Sequence, residues 1–291
     1  MATLRDIRRR IKGVQSTQQI TKAMKMVAAA RLRKAQDNII NARPYARQIA
    51  IMLSHLVTDE DFVSNPFIAP RELKNIAVVV VSADRGLCGA FNSNIIKEAV
   101  RFMSEELRNN SAAYVYCVGK KNFDYFGKKD YQLAGKNIGL FSALKYESAL
   151  DISNEIIKKY LDGTFDKVLV IYNEFKSIIQ QRIVIEQFLP VPVSKPAGEE
   201  RRNQPNYIYE PDQKAIFDYL LPKHLKAQMW RILLESNAAE LGARMTSMDN
   251  ATTNAKELIR TLQLKYNKER QASITKEILE IVSGANALKA G

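Results

Sequence analysis

One short turn carries the residue types that could bind a phosphate group. The run Asp84-Arg85-Gly86-Leu87-Cys88-Gly89-Ala90-Phe91-Asn92 follows an apolar stretch and opens a helical pattern, and phosphates bind at helix N-termini. It matches neither G-x-G-x-x-G nor G-x-x-x-x-G-K-S/T, the loops whose backbone N–H groups cradle nucleotide phosphates. We therefore favour a structural turn. A nucleotide-dependent enzyme that uses Asp84 to Asn92 stays as an alternative.

The thiols and imidazoles form no recognisable catalytic or metal-binding set. Cys88 and Cys117 are single and widely spaced, whereas metal sites use closely paired cysteines. Cys88 follows Arg85, which could activate a thiol, but packing within the turn is the favoured interpretation. His55 and His224 lack a carboxylate or thiol pattern that would complete a ligand set or a triad. We expect no catalytic residue, no metal site and no cofactor.

Positive charge is concentrated at one end of the chain. Of the formal net charge of +13, residues 1–58 contribute +10, because twelve Lys and Arg face only Asp6 and Asp37. This segment could be a solvated helix face, a nucleic-acid arm or a surface for acidic protein loops. Its cations surround an amphipathic heptad and are not interleaved with aromatic residues, which favours an acidic protein partner. A basic coiled-coil adaptor that binds nucleic acid stays as the alternative.

Glycine and proline divide the chain into three segments. No glycine lies between Val14 and Arg85, and only Gly242 lies between Glu199 and Ser283, so both ends can form long helices. Pro66 and Pro70 mark one boundary. Five prolines between residues 190 and 211 mark the other. The predicted domains are residues 1–58, 59–211 and 212–291.

The middle segment alternates strand and helix patterns. Short apolar runs predict strands at 75–83, 112–118 and 167–172, and an alternating run predicts an edge strand at 181–188. Helical spacing covers 92–108 and 147–161. We expect a small Rossmann-like α/β domain with right-handed crossovers. The longest clear apolar run, 76–81, falls short of the ~18 residues that cross a bilayer, so we expect no membrane span.

Both ends carry the spacing of a coiled coil. A 3-4 seam in the first segment turns polar between residues 18 and 25, where Ile20, Met24 and Val27 form a displaced apolar stripe that indicates a different neighbour. The seam comprises Leu4, Ile7, Ile11, Val14, Gln18, Thr21, Lys25, Ala28, Leu32, Ala35, Ile39 and Ala42. The last segment restarts after Pro222 and continues through residues that include Leu225, Ala239, Leu258, Leu262 and Ile274. At 1.5 Å per residue the two helices would reach roughly 85 and 100 Å, and we expect them to pair as a long antiparallel coiled coil.

Three stretches closely resemble the gamma subunit family of F-type ATP synthases. They are IKGVQSTQQITKAMKMVAAARLRKAQ (11–36), SADRGLCGAFN (82–92) and ARMTSMDNATTNAKELIRTLQLKYNKERQASITKEILEIVSGANAL (243–288). The resemblance implies a non-catalytic central shaft whose terminal coiled coil enters a ring of three alpha and three beta subunits. It also implies that the Rossmann-like domain lies outside, with the epsilon subunit, on the ring of c subunits. The cysteine-bearing insertion of the plant chloroplast form is absent.

The resemblance also assigns partner-contact residues. Met24 and Lys25, with Arg270, Gln271 and Thr275, are implied to meet the mobile acidic and catch loops of the beta subunits. The stretch 278–288 is implied to turn in an apolar collar, with Ile278, Leu279, Ile281, Val282 and Leu288 as the bearing tip. No nucleic-acid partner is implied. The absence of a clear presequence favours a bacterial complex, and we expect a peripheral protein at the cytoplasmic face of the cell membrane, which contacts the membrane only through the complex. A mature organellar chain stays as the alternative.

Overall fold

A computed structural model describes the backbone at residues 3–108, 111–193 and 208–289, and the side chains at 3–107, 111–193 and 208–286. The chain divides into two compact units, one formed by residues 1–27 with 245–291 and the other by residues 28–244. Helices α1 and α6 each contribute to both units. The elements in chain order are α1 Leu4–Leu56, α2 Asp61–Ser64, β1 Asn75–Val81, α3 Phe91–Arg108, β2 Ala112–Val118, α4 Lys120–Phe126, β3 Gln132–Asn137, a 3-10 turn Leu140–Ser142, α5 Tyr146–Leu161, β4 Lys167–Phe175, β5 Gln181–Leu189 and α6 Gln213–Lys289.

A five-stranded sheet organises the larger unit. Its strand order is β3-β2-β1-β4-β5, with β1 to β4 parallel and β5 antiparallel at the edge beside β4. The four predicted strands and the predicted α/β class are confirmed. β3 and the preceding helix α4 were not predicted, because the polar run QLAGKN of β3 lies at the other edge and is half exposed.

Helices cover both faces of the sheet. Alternate residues of β1 point to opposite sides: Ile76, Val78 and Val80 join a core with α3 and α4. Ala77, Val79 and Val81 join a larger core formed with α5 and with segments of α1 and α6. Because β1 is buried on both faces, its sequence from Ile76 to Val81 is a continuous apolar run, mostly of β-branched residues, instead of an alternating one.

Within the larger unit, α1 and α6 pack against the sheet and against each other. The heptad positions of α1 are buried through Ala28, Leu32, Ala35 and Ile39, as predicted, and burial continues to Leu53. The prediction that the last helix restarts after Pro222 is wrong.

Helix α6 begins nine residues before Pro222. The carboxylate of Asp212 accepts the backbone N–H of Ala215 at 2.9 Å, which caps the helix. Helix formation from this cap buries Phe217 and Leu221 in the core, and this burial explains why the proline lies inside the helix and not at its start.

In the smaller unit, α1 and α6 pair antiparallel. The Thr21 hydroxyl lies 2.8 Å from that of Thr252, and the Lys25 ammonium lies 2.6 Å from the Asp249 carboxylate, so the pairing runs in opposite directions along the two helices. These contacts fill the predicted polar interval of the α1 seam with a hydrogen bond and an ion pair. The predicted antiparallel coiled coil is confirmed.

The predicted phase of the α6 seam in this unit is wrong in part. Leu258 and Ile274 are 40% and 44% exposed. The buried positions are Met248, Ala255 and Leu262, with Ile259 and Tyr266 half-buried between and beyond them. In this register Thr252 lies opposite Thr21, with the two hydroxyl oxygens 2.8 Å apart, and each hydroxyl also donates to a backbone carbonyl of its own helix. No helix among the described residues is both long and apolar enough for a membrane span.

Gly119 is required by the connection between β2 and α4. Its φ is +99°, and an added Cβ would overlap the carbonyl oxygen of Ser82. We expect Gly119→Ala to lower the free energy of unfolding by about 3 kcal/mol or more, because the left-handed backbone alone costs roughly 1–2 kcal/mol and the overlap adds to it. Urea unfolding followed by circular dichroism measures this.

The matched control is Gly163→Ala. Gly163 has a similar φ of +82°, but an added Cβ would meet nothing within 4 Å. The control should therefore lose only the backbone contribution. Equal losses in the two variants would contradict a steric role for the Ser82 carbonyl.

Candidate functional site: the turn after β1 and the outer faces of α1 and α6

The turn after β1 is held by a carboxylate at the place where a phosphate would bind. Oδ1 of Asp84 accepts the backbone N–H groups of Lys120 at 3.0 Å and Gly139 at 2.8 Å, and Oδ2 accepts that of Phe141 at 3.1 Å. These donors follow β2 and β3, at the carboxyl edge of the sheet. Because a fixed negative charge already uses them, this edge disfavours a phosphate and favours a structural turn.

The cysteine of this turn is a packing residue. Cys88 is 2% exposed, and burial raises the pKa of its thiol above the ordinary value. Asn92 braces the turn from the start of α3: its Oδ1 accepts the N–H of Ala83 at 2.9 Å and its Nδ2 donates to Cys88 Sγ at 3.2 Å. The thiol is therefore neutral and enclosed, which confirms the packing interpretation over a reactive one.

The other thiol and one imidazole are also buried. Burial raises the pKa of the Cys117 thiol to about 12 and lowers the pKa of His224 to about 4, so both are uncharged at pH 7. Among the described residues, no group of three or more His, Cys, Asp or Glu side chains could hold a metal ion.

Two buried glutamates join α6 to the sheet within the larger unit. Oε1 of Glu235 accepts from Arg43 Nε at 3.0 Å and Nη2 at 2.8 Å, and its Oε2 accepts the N–H of Phe175 at 3.1 Å. Oε1 of Glu240 lies 2.5 Å from Nη1 of Arg244, and Nη2 of Arg244 donates to the Gly86 carbonyl at 3.2 Å. Burial raises the pKa of Glu240, and Arg244 opposes this.

Sequence reasoning missed both of these pairs. The available signal was two glutamates in the run 232–241 of α6, which is apolar at all but two of its other positions, Ser236 and Asn237. A charged side chain there needs a buried partner, because an unpaired buried charge is strongly destabilising.

The five predicted partner-contact residues lie in two separate places on the smaller unit. Met24 is half-buried and Lys25 pairs with Asp249. Arg270, Gln271 and Thr275 are exposed on α6. Arg270 lies 21 residues beyond Asp249, about 30 Å along the helix at 1.5 Å per residue. The structure therefore brings Met24 and Lys25 together, and Arg270 with Gln271 and Thr275, but not the two groups.

Exposed apolar side chains accompany both places. Near Met24, the displaced stripe leaves Ile20 and Val27 more than half exposed, as the polar seam predicted. At the end of α6, the side chains of Ile278, Leu279, Ile281 and Val282 are 50–71% exposed. The side chain of Leu288, the fifth predicted tip residue, lies outside the described residues. Clustered exposed apolar side chains of this kind mark interaction surfaces.

Asp84 can be tested as a structural carboxylate. We expect Asp84→Ala to lower the free energy of unfolding by about 2 kcal/mol at pH 7, because three backbone N–H groups lose their acceptor. Urea unfolding measures the loss. Asp130→Ala is the matched control, since Asp130 is exposed and accepts no hydrogen bond within the described parts of the chain. A fully stable Asp84→Ala protein that gains affinity for ATP would instead support a nucleotide site.

Comparison with known proteins identifies the family. The family model described as ATP synthase matches residues 3–288. The ATP synthase gamma chain of Chlorobaculum tepidum is 51% identical over 293 residues, covering 99% of this chain and all of the relative, and that of Chlorobium phaeobacteroides BS1 is 50% identical with 99% coverage of both.

Solved structures agree with this assignment. The central stalk and c-ring structure of the Tetrahymena thermophila mitochondrial ATP synthase has a chain that matches with a TM-score of 0.61 at 25% identity, over 80% of this chain and 99% of that one. A chain of the Euglena gracilis enzyme supports the fold, with a TM-score of 0.67 at 22% identity over 99% and 95% of the two chains. The chain belongs to the ATP synthase gamma chain family.

Proposed function

We propose that the chain is the central rotor shaft of an F-type ATP synthase and has no catalytic residue of its own. By rotating, it couples proton flow through the membrane ring to ATP synthesis, or to the reverse hydrolysis, at the catalytic ring of alpha and beta subunits. The observation that carries the proposal is the full-length similarity, at about 50% identity, to ATP synthase gamma chains. The expectation of a nucleic-acid adaptor has no comparable support.

The proposed partners are three alpha and three beta subunits, the epsilon subunit and the ring of c subunits. The net charge of +10 in residues 1–58 suits acidic loops on a protein partner. The solved neighbours are named as central stalk, c-ring and F1 assemblies, which supports this set of partners. In the proposal the chain is peripheral at the cytoplasmic face of a bacterial membrane, which it contacts only through the complex.

Torque in this proposal depends on unequal contacts. A shaft changes the conformation of three otherwise equivalent catalytic sites only if it binds their alternative states with different free energies. The smaller unit supports this role in two ways. Its helices are joined by a continuous seam, and their outer faces differ in composition, with the apolar Ile20 and Val27 on α1 and the polar Arg270 and Gln271 on α6.

The proposed contact residues come from the resemblance to the gamma subunit family. In the proposal Met24 and Lys25 face one set of beta-subunit loops, and Arg270, Gln271 and Thr275 face another. The exposure of the second group supports its availability to a partner. The apolar end of α6, from Ile278 to Leu288, turns inside a collar formed by the alpha and beta subunits.

The polar contact is tested by the double variant Arg270→Ala with Gln271→Ala. We expect ATP-driven proton pumping by the reconstituted complex to fall several-fold relative to ATP hydrolysis, because the variant loses interactions with the moving loops, each worth roughly 0–1 kcal/mol when exposed. The matched control is Asn94→Ala with Lys97→Ala, an exposed amide and cation on α3. Unchanged pumping in the first variant would contradict the assignment.

The apolar tip is tested by Ile278→Ser with Ile281→Ser. Both side chains are more than half exposed in the chain alone, so the substitutions should not unfold it. We expect slower turnover and a less stable assembly. Burial of an isoleucine in the collar would contribute about 1.5–3 kcal/mol, and each serine loses that contribution. Leu264→Ser, on an exposed position of the same helix, is the control. Full torque and assembly stability would count against a bearing.

A further inference from the structure

A groove in the larger unit is separate from the partner-contact residues proposed on the smaller unit. It has a volume of about 830 Å³ and lies between the C-terminal part of α1 and the N-terminal part of α6, beside β5. Arg43, Arg47 and Ile51 line it from α1, and His224, Gln228 and Arg231 line it from successive turns of α6.

Among the described residues, most charged side chains around this groove have an oppositely charged partner, but one arginine does not. Nη2 of Arg231 lies 2.5 Å from Oε1 of Glu186, which also accepts a hydrogen bond from Gln228 Nε2. Arg43 forms an ion pair with Glu235. Arg47 is exposed on the rim, and within the described parts of the chain no carboxylate pairs with it. The groove therefore offers one available cation and no available carboxylate.

The floor of the groove holds polar atoms without partners. Gln228 is 6% exposed, and its amide orientation is fixed because Nε2 donates to Glu186 at 2.7 Å and to the Gln187 carbonyl at 3.3 Å. This leaves Oε1 of Gln228 buried without a donor, and Nδ1 of His224, one turn away, is buried without a partner as well. A buried acceptor without a donor is unfavourable, so the floor favours a ligand that supplies an N–H group.

The walls add an apolar requirement. Pro44 and Ile51 on one side and Pro192 on the other give the groove mostly apolar walls. A ligand that suits the whole groove has an apolar body, N–H donors for the floor and a carboxylate for the rim. An extended peptide can supply all three groups. Its backbone provides N–H donors at every residue, and its side chains point alternately to opposite sides, so that apolar and acidic side chains can meet different parts of the groove.

We propose that this groove binds an extended acidic peptide segment of a partner protein, with apolar side chains against Ile51 and Pro192 and a carboxylate on Arg47. The proposal concerns the larger unit alone and does not depend on the rotor function.

The chain contains only two histidines, which gives a direct test with the intact protein. Isotope-labelled histidine yields one signal from His224 in the groove and one from His55 outside its lining. The probe is a blocked hexapeptide that alternates Asp and Leu, and its counterpart with Asn in place of Asp is the neutral control. We expect a saturable shift of the His224 signal only, with binding of the acidic peptide about tenfold tighter than that of the neutral one.

A substitution of Arg47 on the rim of the groove tests whether the carboxylate of the peptide binds there. Arg47→Gln should weaken binding of the acidic peptide by about threefold to fivefold, the range of an exposed ion pair, and leave the neutral peptide unaffected. Arg33→Gln, an exposed arginine two heptads earlier on α1, should change neither. The proposal is wrong if millimolar acidic peptide leaves His224 unshifted, if both peptides bind equally, or if ATP produces the shift and the peptide does not.

Discussion

A narrow seam of buried side chains holds the two longest helices together, and both helices depend on it. Helices of 53 and 77 residues cannot bury an apolar stripe alone, so each requires the other. The seam residues are small or polar at several positions, including Ala28, Ala35 and Thr21, which allows the helix axes to approach closely. The same narrowness leaves the outer faces of both helices open. Apolar side chains such as Ile20 on α1 and Ile281 on α6 consequently stay exposed in the isolated chain, as expected of surfaces that meet other subunits.

Buried charges fix the helices to the sheet in the larger unit. Glu235 draws α1 and the end of β4 onto α6, and Glu240 with Arg244 ties α6 to the turn after β1. A buried ion pair contributes little net stability, but loss of one partner is strongly destabilising, so these pairs specify one arrangement of the elements. Asp84 has the same role within the sheet, where its carboxylate joins the ends of three neighbouring parallel strands. The edge of the sheet that could have bound a nucleotide is thereby used for structure.

Local patterns predicted the parts of this fold that are set locally. The heptad spacing of α1 gave its buried positions, and the β-branched run at 76–81 gave the central strand. The failures have a common cause, since each depends on residues distant in sequence. Pro222 resembles a helix start, but Phe217 and Leu221 before it are buried in the core with residues of the sheet. The buried positions of α6 in the smaller unit are those that face α1, where Thr252 meets Thr21. The partner-contact residues stay predictions, because the groups that they would meet belong to other chains.

The most direct test of the rotor proposal is observation of rotation in a complex assembled with alpha and beta subunits. Both native cysteines are buried with pKa values raised by that burial, so a single cysteine introduced by Lys97→Cys on the exposed face of α3 can carry the label selectively. With the alpha and beta ring fixed to a surface, the proposal predicts that the label turns continuously in one direction when ATP is added and stops when ATP is exhausted. A label that stays at one angle in a complex that hydrolyses ATP would contradict the proposal.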